Sequence, residues 1–226
     1  MTQYTDRRLL APPIEEEVKP YRPVWRRLLI QIGIFASLSL IGTLLIEIFN
    51  VQFETNVNFY LSLLYVSLPV LLWLLFSRLP ENFVLEPRRN LIFVAIVSGL
   101  LATSFGIPLV RDFYMVDRWL PLEAAVQRII GFTVTVGVVD TALKFLTIRF
   151  MIFPQYFRIR TDAIAYCVAS SIGYCFAINL HYVVTVQPTL SMAIVYIFST
   201  YAIQIGSMKL LAYGLSEMYF SNSFPA

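Results

Sequence analysis

The sequence predicts an all-α membrane protein, a bundle of about six transmembrane helices with both termini in the cytoplasm. Of its 226 residues, 58% are hydrophobic and 14% are charged, and the mean hydropathy is +0.71, which is too apolar for a soluble domain of this length. A helix needs about 20 apolar residues to cross roughly 30 Å of hydrocarbon. Six runs meet this length, at residues 28–48, 57–79, 91–110, 122–150, 162–184 and 190–211.

The basic residues set the predicted orientation. Two arginines, Arg111 and Arg118, lie in the connections assigned to the outer side. Twelve basic residues flank the spans on the other side: Arg7, Arg8, Lys19, Arg22, Arg26, Arg27, Arg78, Arg88, Arg89, Arg149, Arg158 and Arg160. By the positive-inside rule this bias places both termini in the cytoplasm. It also accounts for the net charge of +3, so we expect no nucleic-acid partner.

The chain divides into a polar arm, a membrane domain and a short tail. Residues 1–24 are polar and contain four prolines around the acidic run 15–17, a composition that cannot bury its own core. This arm is either a solvated tail or a strap that docks on a neighbouring subunit. Residues 25–220 form the predicted six-helix transmembrane domain, and residues 221–226 are too few to fold.

Candidate functional residues concentrate in the fourth and fifth spans. Asp140 and Lys144 lie in the fourth span, and Asp162, Asn179 and His181 lie in the fifth. An ionisable residue at the middle of a membrane helix costs roughly 2.5 to 3.5 kcal/mol on insertion scales, so it usually faces a partner, a cavity or a site. Asp140 and Lys144 are four residues apart, which puts both on one helical face. We expect them to form a neutralised intrahelical pair or to belong to a site.

The fifth span has the pattern of a helix at the centre of a bundle. Its small residues recur every four positions, at Ala165, Ala169, Gly173 and Ala177, and such stripes let neighbouring helices approach closely. A second stripe ends at Asn179, whose side chain is expected to point to another helix or a cavity. The sixth span carries several hydroxyl and amide side chains, including Gln204, and these are expected to meet the polar residues of the fourth and fifth spans.

Metal and cofactor sites are not expected from this composition. The chain has one histidine and two cysteines, with no cluster at the spacing of metal ligands. Cys167 and Cys175 lie eight residues apart, about 12 Å along a helix, which is beyond the reach of a disulfide.

Two segments of these spans resemble a known family. The segment "VVDTALKFLTIR" resembles the "VVEE-x-x-K" region of PrsW-type glutamic intramembrane proteases. The segment "DAIAYCVASSIGYCFAINLHYV" is similar to that family's "DG-x-x-Y-G... G-F-A-x-x-EN-x-x-Y" segment, with matches at Asp162, Tyr166, Gly173, Asn179 and Tyr182. Together they cover about forty residues in the family's order. The resemblance implies a PrsW-like helix bundle in a bacterial cytoplasmic membrane.

The differences from the family fall on its catalytic positions. Asp140 corresponds to the first glutamate of the family's pair, Thr141 to the second, and Lys144 to the lysine. Ile178 corresponds to the glutamate before the asparagine, and the sixth span contains no histidine. Peptide hydrolysis needs a general base to activate water and an acid to protonate the leaving nitrogen. The resemblance therefore implies the fold and argues against the activity.

Three functions follow as hypotheses. The first is a non-catalytic accessory or scaffold subunit of a larger membrane complex, whose partners are other membrane proteins and the lipid bilayer. The second is an active intramembrane protease that uses Asp140, with Asp162 or Glu123 as the second carboxylate. The third is a proton or small-solute pathway through Asp140, Lys144, Asn179 and His181.

Overall fold

The computed structural model describes residues 24–48, 55–76, 88–115, 125–153, 156 and 160–220. Within these ranges all regular structure is helical, with no strand. The polar arm up to residue 23, Glu123 and the tail at 221–226 lie outside the described residues, so the predictions made for them are untested.

Six helices follow one another along the part of the chain that the structure describes. Helix α1 is Val24–Ile48, α2 is Thr55–Phe76, α5 is Arg160–Val186 and α6 is Leu190–Phe220. Helix α3 begins as Arg88–Leu101 and continues through two π-helical turns, Ala102–Gly106 and Leu109–Phe113. Helix α4 consists of Ala125–Phe132, a π-helical turn at Thr133–Gly137, and Val138–Met151.

Five of these helices contain stretches long and apolar enough to cross a membrane. The stretches are Asn56–Leu75, Arg89–Phe113, Ala125–Met151, Asp162–Val186 and Leu190–Tyr219. Helix α1 is 25 residues long and contains the shorter apolar stretch Ala36–Ile46. The predicted all-α, multi-pass membrane fold is therefore confirmed.

The last helix is longer than the sixth span predicted from the sequence. The sequence places the end of the sixth span at residue 211, whereas α6 continues to Phe220. The additional turns bury Ala212 and Leu215 in a cluster with Ile148 on α4 and Tyr166 on α5. These turns therefore belong to the bundle interior, beyond the end that the sequence analysis gives to the sixth span.

Helix α5 lies at the centre of the bundle. It packs against α2, α3, α4 and α6, and it has the largest buried share of the five spans. A β carbon at Gly173 would overlap the backbone of Ala95 on α3. One turn away, the hydroxyl oxygens of Ser98 and Ser170 are 2.9 Å apart. The small side chains of α5 thus allow α3 to cross at close backbone contact, which holds α5 in place beside α4.

Candidate functional site

Four side chains from three helices meet in the interior of the bundle. Asp140 and Lys144 come from α4, Tyr174 from α5 and Gln204 from α6. Asp140 is 3% exposed, and Lys144 and Tyr174 are fully buried. We call these four residues the polar cluster. A carboxylate and an ammonium at this depth require partners, because burial of an unpaired charge is costly.

Both carboxylate oxygens of Asp140 accept a hydrogen bond. The Tyr174 hydroxyl donates to Oδ1 over 2.7 Å, and the Gln204 side-chain nitrogen Nε2 donates to Oδ2 over 2.6 Å. Such short bonds to an ionised acceptor are among the stronger hydrogen bonds in proteins. The carboxylate is thereby fixed between α5 and α6.

Lys144 completes the polar cluster through the same glutamine. Its ammonium nitrogen donates to Gln204 Oε1 and lies 5.3 Å from the centre of the Tyr174 ring, a cation–π distance. The amide orientation follows from chemistry, since Nε2 can only donate to the carboxylate and Oε1 can only accept from the ammonium. Asp140 and Lys144 thus meet through Gln204. Their spacing on α4 does not predict this bridge, because spacing within one helix carries no information about α6.

A glycine on α3 provides the space for the Tyr174 hydroxyl. A β carbon at Gly106 would overlap Tyr174 Oη and would lie 3.1 Å from Cζ and 3.5 Å from Leu143 Cδ1. Gly106 is the last residue of the π-helical turn Ala102–Gly106, which contacts both α4 and α5. The π-helical turn of α4, Thr133–Gly137, ends three residues before Asp140. Such turns occur frequently at functional sites.

Apolar and small residues enclose the polar cluster. Tyr174 packs with Ala102, Ala177, Leu143 and Ile178. The Ser171 hydroxyl donates to the backbone carbonyls of Cys167, at 3.0 Å, and Gln204, at 3.2 Å. The position that corresponds to a family glutamate, Ile178, therefore contributes an aliphatic wall next to Tyr174.

The structure keeps the other ionisable candidates away from the polar cluster. Asp162 is buried, but it precedes Tyr174 by twelve residues, about 18 Å along α5. His181 is half-buried and follows Tyr174 by seven residues, about 10 Å along the same helix. Neither side chain is level with Asp140.

Three of the predicted packing residues of α5, Ala169, Gly173 and Ala177, pack with residues of α3. Ala169 and Ala177 are buried, Ala165 is half-buried, and Gly173 touches the backbone of α3. Asn179 is fully buried on another face, and neither polar atom of its side chain has a hydrogen-bond partner among the described residues.

Sequence reasoning missed Tyr174 and Gly106 and gave Gln204 no specific partner. Depth in the membrane is the sequence signal that could have identified Tyr174 and Gln204. Tyr174 and Gln204 each lie fourteen residues into their helices, about 21 Å, near the middle of a bilayer. Asp140 lies eleven residues from the end of α4 at a similar depth. Gly106 has no such signal, because its role depends on the crossing of α3 over α5.

The fold and the polar cluster define a class: a multi-pass integral membrane protein with a buried ionisable cluster between its last three spans. Comparison with protein families gives the particular group. The chain belongs to the PrsW family of intramembrane metalloproteases, whose family model matches residues 86–205. This range begins two residues before α3 and includes all four residues of the polar cluster. No curated protein and no solved structure matches the chain.

The family description implies a metal ion, and the donor set of this chain does not fit one. No three His, Cys, Asp or Glu side chains come together among the described residues as a metal site requires. Asp140 is the single residue of these types in the polar cluster. The Lys144 ammonium occupies the other side of the Gln204 amide, where its charge opposes a second cation. The described residues therefore do not accommodate a resident metal ion.

Proposed function

We propose that this protein is a non-catalytic PrsW-family member that serves as an accessory or scaffold subunit of a larger complex in a bacterial cytoplasmic membrane. The observation that carries the proposal is the saturated carboxylate of Asp140. Its two oxygens accept bonds from Tyr174 and Gln204, and Lys144 binds the far side of the same glutamine. A polar network whose members are all paired stabilises one arrangement of helices.

Hydrolysis would demand a different arrangement. A general base must reach a water, and an acid must reach the leaving nitrogen, within about 3 Å of each. The one carboxylate of the polar cluster, Asp140, already accepts hydrogen bonds on both oxygens. Asp162 lies about 18 Å from Tyr174 along α5. The chain's single histidine, His181, is about 10 Å from Tyr174 in the opposite direction. Ile178 supplies no proton-transfer group.

A groove between α1 and α6 supports the role in assembly. It has a volume of about 430 Å³. Its lining combines the larger apolar side chains Leu40, Val195, Phe198 and Ile203 with small ones, among them Ala36 and Ser39 on α1 and Ser199 and Ala202 on α6. Small residues let a neighbouring membrane helix approach closely. Thr43 and Thr200 donate to carbonyls of their own helices, whereas the hydroxyls of Ser39 and Ser199 have no hydrogen bond among the described residues. They are available to a partner helix.

Purification from native membranes tests the assembly role. In mild detergent, wild-type protein is expected to migrate on native gels with a partner at fixed stoichiometry. Ser199→Leu and Ala202→Leu fill the groove and are expected to release the partner. Val126→Leu, on a 69% exposed position of α4, is the matched control and should retain it. A lone monomer from native membranes would remove the basis for this role.

A turnover assay tests the absence of catalysis separately. Wild-type protein and Asp140→Asn, reconstituted in vesicles, are expected to give the same background cleavage of a panel of transmembrane peptides. Cleavage that is present in wild type and lost in Asp140→Asn would establish the alternative, an intramembrane protease that uses Asp140.

A further inference from the structure

Asn179 has a buried side chain without internal partners. It is 0% exposed, and neither Oδ1 nor Nδ2 has a hydrogen-bond partner among the described residues. Two other side-chain amides of the bundle have protein partners. Gln204 bonds Asp140 and Lys144, and Asn58 donates to the backbone carbonyl of Pro188 over 3.4 Å. Buried amides are almost always paired with protein or with ordered water, because desolvation without a partner is costly.

The surroundings of Asn179 provide no protein partner. It lies midway between Cys175 and Val183, one turn from each on the same face of α5. Both neighbours belong to an apolar cluster with Val66 on α2 and Ile197 on α6. The amide therefore sits in the apolar seam between α2, α5 and α6.

A polar cavity begins one turn farther along the same seam. It has a volume of about 280 Å³, and its wall includes Val183, about 6 Å along α5 from Asn179. Asn58, Ser62 and Gln187 contribute neutral hydrogen-bonding groups to the same wall. The volume exceeds the roughly 30 Å³ that one water molecule occupies in the liquid several times over. The named polar groups are uncharged, a lining that suits water better than an ionic headgroup.

We propose that Asn179 is a buried water-binding site supplied from this cavity past Val183. A water molecule donates to Oδ1 and accepts from Nδ2, so it satisfies both atoms that the protein leaves unpaired. Buried waters usually make about three hydrogen bonds to groups of this kind. The cavity is lined by residues at the beginning of α2 and by residues at and just beyond the end of α5, and no residue of the polar cluster lines it.

Side-chain amide NMR tests the water site. Full-length protein labelled with ¹⁵N-asparagine is placed in nanodiscs, and the Asn179 amide signal is identified by its loss in Asn179→Leu. In wild type this signal is expected to show a cross-peak to water. Val183→Phe narrows the path and is expected to slow amide exchange with water several-fold. Val184→Phe is the matched control, because Val184 is 50% exposed on the outside of the bundle, and exchange should stay at the wild-type rate.

Thermal unfolding provides a second readout. If water satisfies the amide, Asn179→Leu displaces it and lowers the Tm. A dry, unpaired amide would instead give an Asn179→Leu variant that melts above wild type, together with a wild-type signal that lacks the water cross-peak. Either of these two results overturns the proposal. Neither depends on whether the protein has partners or catalytic activity.

Discussion

The Tyr174 hydroxyl lies against Gly106, so close that a β carbon at position 106 would overlap it. The same hydroxyl donates to Asp140, so a backbone position on α3 determines whether α5 can reach the carboxylate on α4. The α3 helix contributes no polar atom to the polar cluster, yet its π-helical turn decides the geometry there.

Replacement of Gly106 by alanine is the first prediction. The added methyl group must displace the Tyr174 hydroxyl, which breaks its bond to Asp140, and overpacking of this kind costs about 1–3 kcal/mol. We expect a lower free energy of unfolding in detergent titrations. Gly214→Ala is the control, because nothing lies within 4 Å of a β carbon there and alanine favours the helix. Tyr174→Phe combined with Gly106→Ala should cost less than the two single changes added together; strict additivity would contradict the contact.

Removal of one charge from the polar cluster is the second prediction. Lys144→Met leaves the buried Asp140 carboxylate without its compensating cation, and loss of one partner from a buried pair costs about 3–5 kcal/mol. Asp140→Leu likewise leaves the buried Lys144 ammonium without its compensating carboxylate. The double variant removes both charges, so it should recover much of the stability of the single variants. A double-mutant cycle on the free energy of unfolding measures this coupling. A coupling energy near zero would show that the two residues act independently.

The polar cluster also shows how far sequence reasoning reaches. Hydropathy located the spans, and the four-residue stripe of α5 predicted a helix at the bundle centre, because both are local periodic properties. Asp140 and Lys144 stood out because ionisable residues are rare at membrane depth. Their bridge through Gln204 depends on the rotation of α6 against α4, which local spacing does not encode. The π-helical turn that ends at Gly106 also has no signal in the sequence.

Gln204 is the subject of the third prediction. Gln204→Leu keeps the size of the side chain but removes both hydrogen bonds, which leaves Asp140 Oδ2 and the Lys144 ammonium unpaired. Each buried group without a partner costs about 1–3 kcal/mol, and more when it is charged. The Tm should fall clearly, whereas Ile203→Leu, at a 69% exposed neighbouring position, should leave it unchanged.

Gln204→Glu places a second carboxylate opposite Asp140 and is expected to destabilise at least as much as Gln204→Leu. Equal Tm values for Gln204→Leu and Ile203→Leu would contradict the bridge.

The crossing of α3 over α5 gives the last prediction. A β carbon at Gly173 would overlap the backbone of Ala95, and backbone atoms cannot rotate away as a side chain can. Gly173→Ala must therefore separate the two helices, which also weakens the contact between the Ser98 and Ser170 hydroxyls next to it. We expect a loss at the upper end of the roughly 1–3 kcal/mol range for overpacking, and larger than that of Gly106→Ala, where a tyrosine side chain can move instead. Unfolding titrations of the two variants, with Gly214→Ala alongside, give this order directly.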